Sequence, residues 1–417
     1  KDAISVLTAV IGKKYVLTDK ESVEFYSMDV YRSFEVPIAV VQPGSVEELQ
    51  EVVRVATGLG IAIVTRGGGA SYTDGYLATT PKSITIDTSR LNKIVEINEE
   101  DMLVTVEPGV TWAEMAAALA EKNLRTPFWG PFSGLKATVG GSTSQNSVSM
   151  GTSAYGGSPE SILCYDIVLP SGKILKTGSS SMKNSSAFFR HYGPDLTGLF
   201  SGDAGALGVK ARITLRLIKL PTHTLTCSFG FKDYGSMSEG MAAAAREQSV
   251  SSNWGLDPKL QQGQLGRVTL SDAIKAAFAV LRTARNPFEA IIQLGKMALA
   301  GKRFLTGFDY SAHFVVEGYS VAEVKSKLAQ TRKAVGPYGT ETANTIPTVL
   351  GATPFMPLYP ILGPQGERWV PMHGFLPFSK MQDFHDRLMK FYEENKEKMD
   401  THSVEAGAMF MTYSTHS

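Results

Sequence analysis

The chain is nearly without cysteine: 417 residues hold only Cys164 and Cys227. Two thiols cannot frame a disulfide-stapled fold or complete a structural zinc site. Both lie in apolar, strand-like runs, where a buried free thiol is expected, and that fits a reducing compartment. Net charge is missing too. Forty-one basic side chains face 40 acidic ones, so no global field draws the chain to nucleic acid or an anionic surface. No apolar run is long enough to span a bilayer. The opening Lys1-Asp2-Ala3 has no signal-like pattern, so a cytoplasmic protein is expected. The chain opens without Met and stops at Ser417 inside a strand-like run, as expected of a sequence missing one or both ends.

What the chain has is glycine, 40 residues of it, with three glycine-rich sets among them. The first follows a strand–helix–strand unit. Val40 to Pro43 ends a strand, and Ser45 caps a helix with Glu47 and Glu48 in its first turn, where carboxylates suit the helix dipole. Val46, Leu49, Val52, Val53 and Ala56 share one helical face. After Gly60, the strand Ile61 to Val64 leads into Arg66-Gly67-Gly68-Gly69-Ala70-Ser71. Three glycines strip every Cβ from the turn, so amide N–H groups can converge on an anion beside the Arg66 charge and the Ser71 hydroxyl. A plain glycine-rich hairpin tip is the alternative.

The second set spans Gly134 to Gly157 and is rich in small and hydroxylated residues, with Thr138, Gly140, Gly141, Ser144, Asn146, Gly151, Ala154 and Tyr155. Such a stretch lets backbone lie flat on a planar or polyphosphate ligand. The third, Ser201 to Val209, precedes the strand Ala211 to Leu217. Between the first two, Pro108-Gly109 turns the chain into a helix start at Thr111. A Rossmann fingerprint needs G-x-G-x-x-G opening a helix, yet Gly67 to Gly69 lead into the loop Tyr72 to Tyr76. No Walker pattern occurs either, so a loop rather than a helix is expected to bind phosphate.

In this order the motifs resemble the FAD-binding flavoproteins of the vanillyl-alcohol oxidase and p-cresol methylhydroxylase (PCMH) type. The matching stretches are Val41-Gln42-Pro43 with Val46 to Leu49, Arg66 to Ser71, Val106 to Val110, Thr138 to Gly141, Tyr155-Gly156, Ile167 to Gly172, Asp195 to Phe200 and Gly205 to Gly208. The resemblance implies an α+β fold: a two-subdomain PCMH-type FAD-binding domain over residues 1–220, then a cap domain over 221–417 with an antiparallel sheet flanked by helices. It implies that Arg66, Gly67, Gly68, Gly69, Ala70 and Ser71 hold the pyrophosphate. Thr138, Gly140, Gly141, Gly151, Ala154 and Tyr155 would lie along the flavin and ribityl chain, and Pro108, Gly109, Ser144 and Asn146 would also bind the cofactor. Gly205, Gly208 and Val209 would meet the adenine side. Many members attach FAD through a histidine in the first glycine loop. The first histidine here is His191, so non-covalent FAD is expected.

Arg66 to Gly69 and Leu196 to Phe200 look like the D-lactate, glycolate and D-2-hydroxyglutarate dehydrogenase branch, so a dehydrogenase or oxidase acting on a D-2-hydroxyacid is expected. The histidine-containing metal motif usual in that branch is absent, and no metal is expected. Oxidation of a para-substituted phenol, an NADPH-fed flavin reductase and a non-enzymatic FAD-binding protein are the alternatives. Oxygen, a quinone or a cytochrome is the expected electron acceptor, and a homo-oligomer the expected assembly.

The second half must supply orientation and proton handling. Ser311 to Glu317 and Thr224 to Phe231 read as strands, 236–247 and 321–335 as helices, Arg368 to Phe375 as a strand, 379–398 as a helix and Ala406 to Tyr413 as a strand. His373 is the first candidate for the base that takes the hydroxyl proton, or else a structural histidine. Tyr413, near His416, is a second pocket-lining candidate. Arg368 suits an anionic substrate oxygen, because its planar fork matches carboxylate geometry. Pro354 to Tyr359 and Trp369 would equally suit an aromatic substrate. The basic stretch 257–303 reads either as a contact for a membrane surface or acidic acceptor, or as solvated helix faces.

Overall fold

The computed structural model describes residues 3–261, 307–344, 347, 355, 368 and 370–417. Ser45 Oγ accepts a hydrogen bond from Glu48 N and opens the helix Val46–Gly58, which buries Val46, Leu49, Val52, Val53 and Ala56 as its periodicity requires. Each of the valine and leucine side chains contributes roughly 1.5–3 kcal/mol through burial. Gly60 turns the chain at φ +63°, and the strand Ala62–Arg66 follows. That strand closes a four-stranded sheet in the order Val16–Leu17, Ala39–Val41, Ser83–Asp87, Ala62–Arg66. The last three strands are parallel, with Arg66 opposite Asp87. Their loops, starting at residues 67 and 88, therefore leave the sheet at the same end, the carboxyl edge where parallel sheets carry ligands.

A second sheet is antiparallel throughout, in the order Ile94–Asn98, Leu103–Val106, Val209–Arg216, Ile162–Val168, Ile174–Lys176. A reciprocal cap between Thr111 and Glu114 starts the helix Trp112–Ala120. Trp112, Met115 and Leu119 join the sheet residues Val104, Val106, Ile213 and Leu215 in one core. These two sheets belong to one compact unit, Lys1–Val148 with Gly157–Leu220 and Phe355–Met372.

The second unit comprises Ser149–Gly156, Pro221–Pro354 and His373–Ser417. Its five-stranded antiparallel sheet runs Thr340–Thr342, His223–Phe231, Tyr310–Gly318, Ser252–Leu256, Met409–Met411. The helices Tyr234–Arg246 and Val321–Val335 supply Met237, Met241, Val324 and Val335 to a core with Phe229, Phe231 and Phe314. The fold is thus a mixture of helices and sheets, with the antiparallel sheet flanked by helices in the second unit.

Three local expectations are corrected. Residues 370–377 form no strand: Pro371 and Pro377 carry no N–H to donate to a ladder. The last strand stops at Met411, because Thr412 turns its hydroxyl to Ser153 Oγ (2.8 Å) and Ser414 adopts φ +55°. On its other side, Ala408 N donates to Asp257 Oδ2 at 2.8 Å. The helix expected over 379–398 breaks at Asn395 into Met381–Glu394 and Lys396–Thr401. The basic stretch beyond Gln261, Pro354 to Tyr359 apart from Phe355, and Trp369 lie outside the described residues. Among the described residues, no helix is long and apolar enough to cross a membrane.

Candidate functional site

The strand Ala62–Arg66 delivers the glycine turn directly onto a second loop. A Cβ on Gly68 would overlap the carbonyl oxygen of Lys136, and one on Gly67 would collide with Thr138 Oγ1. Only glycine permits this approach. Thr138 Oγ1 is itself engaged, accepting from Gly141 N at 3.2 Å as the cap of the short helix Val139–Ser144. A Cβ on Gly140 would stand 2.6 Å from Pro108 Cβ. Backbone bonds complete the interlock: Thr88 N to Arg66 O (3.0 Å), Gly109 N to Leu91 O (2.7 Å), Val139 N to Val110 O (2.8 Å) and Gly140 N to Pro108 O (3.0 Å).

The third glycine set closes on the same place. Gly202 N donates to Thr143 O (2.9 Å) and Ala204 N to Ser144 O (2.8 Å), while Gly205 lies flat against the Thr65 hydroxyl. Asn146 is exposed in a left-handed conformation, φ +50°, with its amide against Gly202. Gly208 is pressed onto Val168 O, and Val209, only 5% exposed, pairs with Val168 in the core. Residues 67–71, 134–148 and 201–209 of the three glycine-rich sets therefore meet within the first unit.

Within that assembly the amides of Gly67, Gly68, Gly69 and Ala70 donate to no described residue. Four consecutive N–H groups on one turn, without an acceptor among the described residues, are the kind of donor set that binds an anion. Ser71 Oγ lies 2.9 Å from Thr73 Oγ1, and Tyr76 OH fixes the turn by donating to Ser71 O at 2.9 Å. Arg66 packs against the turn at Gly69, but its donors are claimed by other residues. Its guanidinium is 8% exposed, donates to Met28 O at 2.9 Å and lies 4.8–5.3 Å from the rings of Phe25, Tyr26 and Tyr76. It welds residues 25–28 to the sheet, beside Asp87, which accepts from Tyr26 OH and Gln42 Nε2 at 2.7 Å each. Burial, reinforced by Asp87, pushes the Tyr26 phenol up to about 12.

Gly151, Ala154 and Tyr155 belong to the second unit. Gly151, at φ +91°, precedes the short helix Thr152–Tyr155 and donates its N–H to Ser252 Oγ at 2.7 Å; Ala154 N donates to Ser251 O. Of the catalytic candidates, Arg368 lies in the first unit and donates to Tyr31 O. His373 and Tyr413 lie in the second. His373 is an exposed residue of the irregular stretch before the helix at Met381, and partial desolvation of its ring lowers its pKa. Tyr413 packs edge-on against Phe375 (5.6 Å) and His416 (6.1 Å).

The second unit also holds two polar histidine clusters, and sequence reasoning missed His385. His385 stacks on Tyr234 at 3.8 Å, with its Nε2 3.1 Å from Tyr310 OH. His313 is completely buried between Ser228 Oγ (2.9 Å) and Ser311 Oγ (3.3 Å). His313 alternates with apolar residues in its strand, and no local signal separates a buried histidine from a solvated one. Both cysteines are buried, and burial pushes the Cys227 thiol up to about 12.

Comparison with known proteins fits the geometry of the first unit. Residues 37–178 match the FAD binding domain family. The mitochondrial D-lactate dehydrogenase [cytochrome] of Arabidopsis thaliana is 30% identical over 234 residues, 55% of this chain and 39% of that protein. A D-2-hydroxyglutarate dehydrogenase of Stutzerimonas stutzeri is 28% identical over 235 residues, 56% of this chain and 49% of that protein. The matches thus span half or less of these relatives' own length. Among solved structures, p-cresol methylhydroxylase with substrate bound superposes with a TM-score of 0.64 at 21% identity, covering 85% of this chain and 68% of that one. At that identity the likeness is one of fold.

Proposed function

We propose that the chain is an FAD-dependent oxidoreductase that dehydrogenates a D-2-hydroxyacid; the match of residues 37–178 to the FAD binding domain family and the likeness in fold to p-cresol methylhydroxylase support the reading. The observation that carries the cofactor assignment is the run of unclaimed amides from Gly67 to Ala70 on a turn that three glycine-rich segments lock in place. That turn suits a pyrophosphate, which asks for several convergent N–H donors and no protruding side chain. With the Arg66 guanidinium bound to Met28 O, the amides and Ser71 act as the donors and Arg66 holds the frame. Thr138, Gly140 and Gly141 would continue the cradle; Gly205 and Gly208 would shape its far side. No histidine precedes His191, so the flavin is held without a histidyl bond from the first glycine loop.

FAD, when bound, takes the hydride from the substrate carbon; the protein's task is to orient the alcohol and accept its proton. That task falls to the three side chains singled out from the sequence. His373 is the proposed base: its lowered pKa keeps the ring neutral near pH 7, the form that accepts a proton. Arg368 is the proposed carboxylate anchor, and Tyr413 lines the substrate side. The names of the two dehydrogenase relatives favour the hydroxyacid reading, since the phenol-oxidising neighbour supports only the fold.

The test is anaerobic bleaching of the bound flavin by a panel of D-lactate, D-2-hydroxyglutarate, mandelate, 4-alkylphenols and NADPH. Bleaching by a D-2-hydroxyacid is the expected result; bleaching by NADPH alone would end the dehydrogenase reading. In His373→Asn, FAD affinity should hold while bleaching slows by roughly 100-fold or more, the usual contribution of a general base. An unchanged rate removes His373 from the mechanism.

A further inference from the structure

We infer that Lys210 and Asp203, a buried ion pair, position the third glycine segment against the FAD cradle. The inference rests on the FAD reading above and extends it to two side chains that are given no contact with the cofactor.

Lys210 is the second residue of the strand Val209–Arg216, between the buried Val209 and Ala211. Its ammonium lies 2.7 Å from Asp203 Oδ1, and the two side chains are 3% and 2% exposed. Asp203 Oδ1 also accepts from Gly205 N at 3.0 Å, while Oδ2 is buried with no partner among the described residues. Burial pulls the Lys210 pKa down, and the Asp203 charge opposes the pull. Such a pair is a poor device for stability alone. Withdrawing two charges from water costs as much as their attraction returns, and apolar residues of similar volume often hold a core better.

The loop above the pair explains what it does. Gly202, Ala204 and Gly205 all have positive φ, +67°, +51° and +75°. Ala204 carries a Cβ, and an L-residue disfavours that left-handed region. The segment does not take this shape by its own preference. It is pinned on one side by Gly202 N to Thr143 O and Ala204 N to Ser144 O, and from below by Lys210 through Asp203 to Gly205 N. In this shape Gly205 seats on the Thr65 hydroxyl, one residue before Arg66, and the loop covers the end of the helix Val139–Ser144. One ammonium thus fixes a loop that touches two segments of the cradle. Lys210 and Asp203 are positioning residues.

The experiment uses the full chain and two readouts: the unfolding midpoint without FAD, and the FAD dissociation constant from quenching of flavin fluorescence. Lys210→Met, which leaves the Asp203 charge buried alone, should lower the midpoint and weaken FAD binding at least tenfold. Asp203→Val combined with Lys210→Met leaves no buried charge. It should recover the midpoint and still bind FAD at least tenfold more weakly than the natural protein. Asp203→Asn with Lys210→Met returns an acceptor to Gly205 N and should regain part of the affinity. A double Val/Met variant with both the midpoint and the affinity of the natural protein would overturn the inference, as would a folded Lys210→Met with undiminished affinity. If the natural protein does not quench FAD at all, the cradle reading fails and takes this inference with it.

Discussion

Gly68→Ala is expected to abolish useful FAD binding, weakening it at least 100-fold, about 2.7 kcal/mol, and to destabilise the first unit by about 3 kcal/mol. The reason is the atom that the new methyl meets. At Gly68 it is the Lys136 carbonyl oxygen, with the Lys136 carbonyl carbon and Ala137 N behind it. These are backbone atoms of the segment that ends in the Thr138 cap, and no rotamer change moves them aside. The loop must lift, and with it go the amides of Gly67 to Ala70. Overpacking of this kind usually costs about 1–3 kcal/mol, and here it falls on the turn that the cofactor needs. Two neighbours calibrate the result. Gly69→Ala meets the Arg66 guanidinium at 2.6 Å, a side chain rather than backbone, and its φ of +64° adds a left-handed strain of about 1 kcal/mol. Gly58→Ala, at the end of the helix Val46–Gly58 with nothing within 4 Å, should be neutral or stabilise by up to about 1 kcal/mol. Isothermal titration with FAD and thermal unfolding of the three variants read both effects. A Gly68→Ala protein that binds FAD as the natural one does would remove residues 67–71 from the cofactor site.

The parts of this fold that were legible in the sequence are those decided locally. Ser45 and Thr111 cap their helices because the hydroxyl and the amide it serves are three residues apart. The apolar face of Val46–Gly58 follows from helical spacing, and the glycine turn from the strand before it. Contacts made over long separations were not legible. Arg66 reads as a charge beside an anion, yet the groups that claim it, Met28 O and three rings, arrive from 10 to 41 residues away. Residues 149–156 read as part of the cofactor loop. Their hydrogen bonds to Ser251, Ser252 and Thr412, made over about 100 to 260 positions, group them with the second unit. Lys210 did leave a signal, a charge set among apolar residues at the start of a strand. Its partner Asp203 lies only seven positions earlier, but a glycine-rich loop gives no period from which to derive their meeting.

Lowering the pH from 7 to 4.5 is expected to cost the second unit about 3 kcal/mol of stability through His313 alone. The ring is wholly buried in the strand Tyr310–Gly318, where burial pushes its pKa down from 6.5 to about 3. Ser228 Oγ and Ser311 Oγ face its two nitrogens. A neutral imidazole offers one donor and one acceptor, which two hydroxyls match by rotation; an imidazolium would be a desolvated charge with no carboxylate bonded to it. The sign follows from the two protonation curves. Between pH 6.5 and 3 the unfolded chain binds the proton and the folded one does not, so protons favour unfolding and stability falls as the pH falls through that window. The full loss, on the order of 4–5 kcal/mol, is reached near pH 3. His313→Gln keeps an amide between the hydroxyls and removes the titration. Denaturant unfolding at pH 7 and 4.5 should therefore show the natural protein losing about 3 kcal/mol more than the variant. Trp254, whose ring lies 5.7 Å from His313, reports the second unit by fluorescence. Equal losses in both proteins would mean that the ring takes up its proton while folded, and that this core opens to water far more readily than its packing implies.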